Sequence, residues 1–228
     1  MPTESLRGQA SMRGALVSGA EALLGALAVV GHNVFRVTPN EVPILVALAI
    51  VSMRWRQHAW DWAVLGFKRP DSWGRILLIA AAAAALRILM GEFVIEPLTA
   101  RFWPPIKPPS GIDQLQGHLS VVLMYLPIIW IFAGFGEEIG YRGFLLNKIS
   151  NLCGGTRAAD VLAVLGSAVL FGLGHYYKGP AGVVDSGIAG LILGAVYLLS
   201  GRNLWTCVLA HGFIDTFGLT AAYLGWDD

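Results

Sequence analysis

The stretch Gly134-Phe-Gly-Glu-Glu-Ile-Gly-Tyr-Arg-Gly-Phe-Leu-Leu-Asn-Lys148 sets two adjacent carboxylates and an arginine at the end of a long apolar run. Ionised groups are costly in such surroundings unless they are paired or used. If Val121 to Ile149 is helical, Glu138 and Arg142 stand four residues apart on one face, where their charges neutralise one another. Glu137 projects about 100° away from them and gains no cation from that pairing. An acid held still by its neighbours, without a counter-charge, is suited to take a proton from water. Glu137 is therefore a candidate general base, with Glu138 and Arg142 as its support. The plainer alternative is a helix leaving a membrane, with Glu138 and Arg142 an interfacial ion pair and Glu137 simply hydrated.

The composition around this stretch is that of a membrane protein. Hydrophobic residues make up 55% of the 228 and charged residues only 14%, with a mean hydropathy of +0.61, well outside the profile of an ordinary soluble domain. The formal net charge is +1 and no dense basic run occurs, which argues against a nucleic-acid partner. Cys153 and Cys207 form no CxxC spacing, so they read as small core residues, not as a zinc ribbon or a disulfide framework.

Seven apolar segments follow one another, and the expected architecture is an all-α, polytopic transmembrane bundle of about seven spans, seven or eight, with a polar pocket between helices. The first, Gly14 to Gly31, carries Glu21 as its one charge. Ala26-Leu-Ala28 loosely fits a signal cleavage pattern, but a retained span is preferred, because a polytopic protein needs no cleavable signal. Val42 to Met53 is short, and reaches spanning length only by extending back past Asn40 toward Val34.

Arg54 to Arg75 mixes Lys and Arg with Trp55, Trp60, Trp62 and Trp73, the composition of a segment lying at the headgroups. Ile76 to Pro97 is the third span, its Arg87 and Glu92 expected to face protein. Thr99 to Gly117, with Pro104, Pro105, Pro108 and Pro109, is expected to be an exposed loop. His118 to Ile149 holds the opening stretch, and Ala158 to His175, Ala181 to Ser200 and Leu204 to Leu224 complete the set. Gly187, Gly190 and Gly194 give the sixth segment a smooth side for close packing. Without an internal repeat or a dividing linker, residues 1–228 read as a single domain with a motif-bearing core over 118–224.

Cations on the N-terminus and the even-numbered connections outnumber those on the other side ten to four. By the positive-inside rule the N-terminus is cytoplasmic. The expected location is multi-pass, in a bacterial cytoplasmic membrane.

Two further segments carry polar groups. Phe171-Gly-Leu-Gly-His175 puts a histidine near the end of the fifth, and His211-Gly-Phe-Ile-Asp215 sets an imidazole and a carboxylate on one face inside the last. In this order, Glu137-Glu138-x-x-x-Arg142, Phe171-x-x-x-His175 and His211-x-x-x-Asp215 resemble the three motifs of the CAAX-processing and bacteriocin-processing (CPBP) membrane endopeptidases, the type II CAAX prenyl protease superfamily often called Abi. Each motif alone is weak, whereas three in order on separate apolar segments are specific. The resemblance runs from about Gly134 to Asp215, and Leu65-Gly-Phe-Lys-Arg-Pro70 looks like the basic segment that precedes a long helix in these proteins.

The resemblance implies that Glu137 and His175 activate water, that Glu138, Arg142 and Phe171 support the site, and that His211 and residue 215 stabilise the oxyanion. Many members carry asparagine at the last position, and this chain has Asp215, whose ionised carboxylate would repel an oxyanion. Either Asp215 holds a proton, or it orients His211 and leaves donation to that ring. The substrate implied is a membrane-anchored peptide or protein within the lipid bilayer; eukaryotic relatives remove a C-terminal tripeptide after a prenylated cysteine.

Glu137, His175, His211 and Asp215 are of the right types to bind zinc. The resemblance nevertheless implies a glutamate-dependent reaction without metal or other cofactor, so none is expected and zinc is the alternative. HExxH, GxSG and GxGD are absent, which disfavours other intramembrane proteases. The rival from another class is a non-catalytic transporter or scaffold using the same polar cluster.

Depth poses a question. At roughly 1.5 Å per residue, Glu137 lies about 16 Å from Lys148 and His211 about 14 Å from Arg202, but His175 lies about 27 Å from Arg157. Either the fifth helix begins well outside the hydrocarbon or the segment after His175 bends inside the protein.

Overall fold

The computed structural model describes residues 4–57, 60–104 and 115–226, and among them all regular structure is helical. The principal helices are α1 (Glu4–Asn33), α2 (Glu41–Gln57), α3 (Trp73–Met90, continuing to Thr99), α4 (Leu119–Leu152), α5 (Arg157–Gly174), α6 (Gly179–Leu199) and α7 (Leu204–Leu224). Six of them are long and apolar enough to cross a membrane; the shorter α2 is the exception. The chain is an integral membrane protein, and Leu16, Leu78, Phe93, Val169 and Leu199 lie on its outer surface as lipid-facing groups do.

Helix starts follow local chemistry. Ser72, Thr156 and Asn203 each accept a hydrogen bond from a backbone N–H in the first turn of α3, α5 and α7, satisfying donors that have no partner inside the helix. Asn40 does the same for α2, through the Val42 N–H at 2.9 Å. The second span therefore gains length forward, through Gln57, and does not reach back toward Val34, because that cap starts the helix at Glu41.

α4 is central. Leu146 packs with Leu193, Tyr197, Leu204 and Val208 of α6 and α7, while Tyr141, Phe144 and Leu145 pack with Val29, Leu45 and Met53 of α1 and α2. Since lipid is as apolar as these side chains, close packing and polar pairing must hold the helices together. The α5–α6 contact shows the packing part: a methyl on Gly190 would sit 2.9 Å from Ala168 Cα, and Gly187 lies against Gly172. The smooth side expected of the sixth segment is where α5 approaches.

Polar pairing is shown by Lys148. It is 8% exposed, bonds to Ser52 and pairs at 2.8 Å with Glu21, the one charge of the first apolar run. Lys148 is one of the ten cations counted above on the N-terminus and even-numbered connections, and here it packs the bundle instead of standing in a loop.

The segment before α3 is fastened to α7 by the Leu204 N–H on Gly66 O at 2.8 Å and by Asn203 Nδ2 on Lys68 O at 3.2 Å. Phe67 stacks on Phe135 and meets Trp205 edge-on, and Trp60, Trp62 and Trp73 stay exposed, in keeping with a place at the headgroups.

Glu92 is exposed instead of facing protein; α3 extends over 27 residues to Thr99, about 40 Å against a hydrocarbon thickness of about 30 Å, so its end need not be desolvated. Cys207 is buried but Cys153 is exposed, because Gly154 and Gly155 at positive φ turn the chain away from the bundle. Of the proline loop, Pro104 is non-helical, while Pro105, Pro108 and Pro109 lie outside the described residues.

Candidate active site

The middle of α4 departs from α-helical form. Two π-helical stretches, Trp130–Glu137 and Ile139–Leu146, flank Glu138, beyond Pro127, which has no N–H to give the ladder. Such widened turns recur at functional sites. Glu138 and Arg142 form the expected pair, Nη1 donating to Oε1 at 2.7 Å, with 0% and 1% of their side chains exposed. This is a buried pair, not an interfacial one. Arg142 also reaches Gly190 O at 3.4 Å and lies 4.5 Å above the Phe171 ring.

The last motif meets the first at the same carboxylate. His211 Nδ1 lies 2.7 Å from Glu138 Oε1; because Arg142 neutralises an ionised Glu138, that oxygen accepts and Nδ1 carries the hydrogen. The other ring nitrogen, Nε2, is 3.6 Å from Asp215 Oδ2.

The middle motif joins through Phe171. Its ring is 2% exposed and touches Tyr141 at 4.9 Å, His175 at 4.9 Å and His211 at 5.9 Å between centroids. His175 follows the last residue of α5 and turns back, with Nδ1 2.9 Å from Phe171 O. A carbonyl only accepts, so Nδ1 holds the hydrogen and the neutral ring keeps its lone pair on Nε2.

Part of the depth difference is removed at the other end of α5. Asp160 accepts from Arg202 Nη2 at 2.6 Å and Ser150 Oγ at 2.5 Å, which levels the fourth residue of α5 with the start of α7. From that level His175 is about 22 Å along α5 and His211 about 14 Å along α7, and the His175 ring turns back toward Phe171 O, which shortens the remaining difference. Arg157 lies beyond the level, so counting from it overstates the depth of His175.

His175, His211 and Asp215 line one cavity of about 430 Å³ with Phe171, Lys178 and the Arg87–Asp185 pair. Glu137 is not among its lining residues. It lies within electrostatic reach of His211, Asp215 and Glu138, and its Oε2 is buried with no hydrogen-bond partner among the described residues. The two acids are thus differently placed: Glu138 has a cation and an imidazole, whereas Glu137 has Tyr141 four residues on, along its own face.

One nitrogen of each histidine is engaged, by Glu138 and by Phe171 O; among the described residues no three His, Cys, Asp or Glu stand grouped.

Four polar residues were not anticipated at the site. Arg87 Nη2 donates to both oxygens of Asp185 at 2.6 Å, joining α3 to α6 at the cavity; nothing in the spacing links residues 98 apart in sequence. Lys178 also lines it. Tyr141 was legible in principle, from its four-residue spacing to Glu137.

No curated protein and no solved structure gives a significant match. A family comparison does match, over residues 119–217, the stretch that carries Glu137, Glu138, Arg142, Phe171, His175, His211 and Asp215. This stretch matches the model described as type II CAAX prenyl endopeptidase Rce1-like, the endopeptidase family that its three motifs resemble.

Proposed function

We propose that the protein is a membrane-embedded endopeptidase that cleaves a peptide bond in a membrane-associated or lipid-anchored, CAAX-like substrate. The observation that carries the reading is the Phe171 ring, in contact at once with Arg142, His175 and His211 from the three motifs. Helices far apart in sequence meet there in a largely water-excluded place.

The residues divide the work. Glu137 and His175 Nε2 take the proton of a water as its oxygen adds to the scissile carbonyl carbon. That proton passes to the departing amine, so one water is consumed per bond broken. His211 stands on the oxyanion side; its Nδ1 hydrogen is committed to Glu138, so it donates to the oxyanion from Nε2–H, as the imidazolium in which both nitrogens carry hydrogen. The 3.6 Å separation from His211 Nε2 supports an orienting role for Asp215. Glu138 and Arg142 hold that imidazole and the Phe171 ring in place. No metal takes part in these steps.

The test is cleavage by protein reconstituted in lipid, and comparison of membrane-associated peptides between cells carrying wild-type protein and Glu137→Gln. The substitution is expected to abolish cleavage, by 10² to 10⁴-fold or roughly the worth of a general base, with substrate binding and thermal stability kept. Transport of a solute by the wild type, with no peptide cleaved, would overturn the proposal.

A further inference from the structure

Outside the lining of the 430 Å³ cavity, which includes neither Glu41 nor Tyr141, lies a second group of buried polar atoms that the mechanism does not use. Glu41, in the first turn of α2, is 6% exposed and Tyr141 is 1% exposed. Glu41 Oε2 and Tyr141 Oη are both buried with no hydrogen-bond partner among the described residues, as is Glu137 Oε2. Native proteins rarely leave such atoms unsatisfied, and where the site is polar the usual partner is a buried water.

Geometry brings these atoms to one place. A methyl on Gly174 would sit 2.6 Å from Tyr141 Oη and 3.4 Å from Glu41 Oε1, so both side chains converge on the backbone of the residue that precedes His175. Tyr141 and Glu137 share a face of α4. On the other side, His32 Nε2 is 4.0 Å from Glu41 Oε2, and His32 Nδ1 donates to Thr38 O at 3.0 Å in the partly exposed turn between α1 and α2. A separation of 4.0 Å is too long for a direct bond and suits a bridging water. His32, Glu41, Tyr141 and Glu137 thus form a polar line from that turn to the proposed base.

We propose that Glu41 and Tyr141 hold buried water that replenishes the molecule consumed at Glu137. Hydrolysis in an apolar bundle needs a supply that does not pass through the substrate, and this line lies outside the lining of the cavity where a peptide would sit. The inference rests on the hydrolase reading above for its use of the water, but not for the water's presence.

The test has two arms. A high-resolution structure of the full chain is expected to show ordered water within hydrogen-bond distance of Tyr141 Oη and Glu41 Oε2; its absence overturns the proposal. In the second arm, Tyr141→Phe and Glu41→Gln, both nearly isosteric, are each expected to lower kcat about tenfold with KM unchanged, and the double variant to lose little more than either, because the two act as one unit. A hydroxyl with no partner at all would, when removed, leave stability unchanged or raise it. Wild-type kcat in both variants, with a higher Tm for Tyr141→Phe, refutes the inference even if Glu137→Gln is inactive. If instead the wild type cleaves nothing, the hydrolase reading falls, and the ordered water alone decides whether this site exists.

Discussion

Replacing Arg142 with Met removes the cation of a pair that is 1% and 0% exposed while keeping much of the side-chain volume. Glu138 would then be a fully buried carboxylate with His211 as its remaining partner. Breaking a buried pair by deleting one member costs about 3–5 kcal/mol. Unfolding within lipid leaves polar groups other partners, so the lower end is expected: about 3 kcal/mol, or a hundredfold or more in the unfolding constant.

Arg142→Lys keeps the charge but not the planar group that lies 4.5 Å over Phe171 while also reaching Gly190 O. It should cost about 1–2 kcal/mol, mostly the desolvated cation–π contact. The assay is equilibrium unfolding in mixed micelles, with the circular dichroism of the wild type and both variants followed against denaturing detergent. An exposed i,i+4 pair contributes only about 0.3–0.5 kcal/mol. An Arg142→Met protein within about 0.5 kcal/mol of wild type would therefore mean that the pair is solvated, and would refute the argument from burial.

Arg87→Leu and Asp185→Asn should each destabilise the protein, with a coupling of about 1–3 kcal/mol in a double-mutant cycle, since both carboxylate oxygens take up one guanidinium nitrogen; additive effects would show that the pair does not form. Gly190→Ala places a methyl 2.9 Å from the Ala168 backbone, and the overpacking should cost about 1–3 kcal/mol, read as a lower Tm; an unchanged Tm would show that α5 and α6 have room to spare. Dialysis against a chelator, with metal content measured, should leave cleavage unchanged, because no three donor residues are grouped for a metal among the described ones. Loss of activity that zinc restores would reverse that expectation.

The parts of the site that follow helix periodicity were legible in the amino-acid sequence. Glu138 and Arg142 meet because four residues make about one turn, and His211 faces Asp215 for the same reason. The helix boundaries were close as well, since caps such as Ser72 and Thr156 announce themselves. What escaped were the polar contacts between distant segments: Arg87 with Asp185, Lys148 with Glu21, and His211 with the carboxylate that already holds Arg142. Glu137 is the instructive case, because its lack of a cation and its neighbour Tyr141 follow from the helix alone, while its place outside the lining of the cavity depends on how the helices pack.

By itself the sequence determined a helical membrane protein, the order of its apolar segments and the three places where ionisable groups interrupt them, because hydropathy, caps and helical spacing are properties of neighbours along the chain. Only the tertiary structure decided which of those groups share an atom, which face a common cavity and which stand buried without a partner. Between apolar helices in lipid there is little to choose among the ways of packing until glycine contacts and polar pairs close, and those pairs form between residues whose separation in sequence carries no information about their meeting.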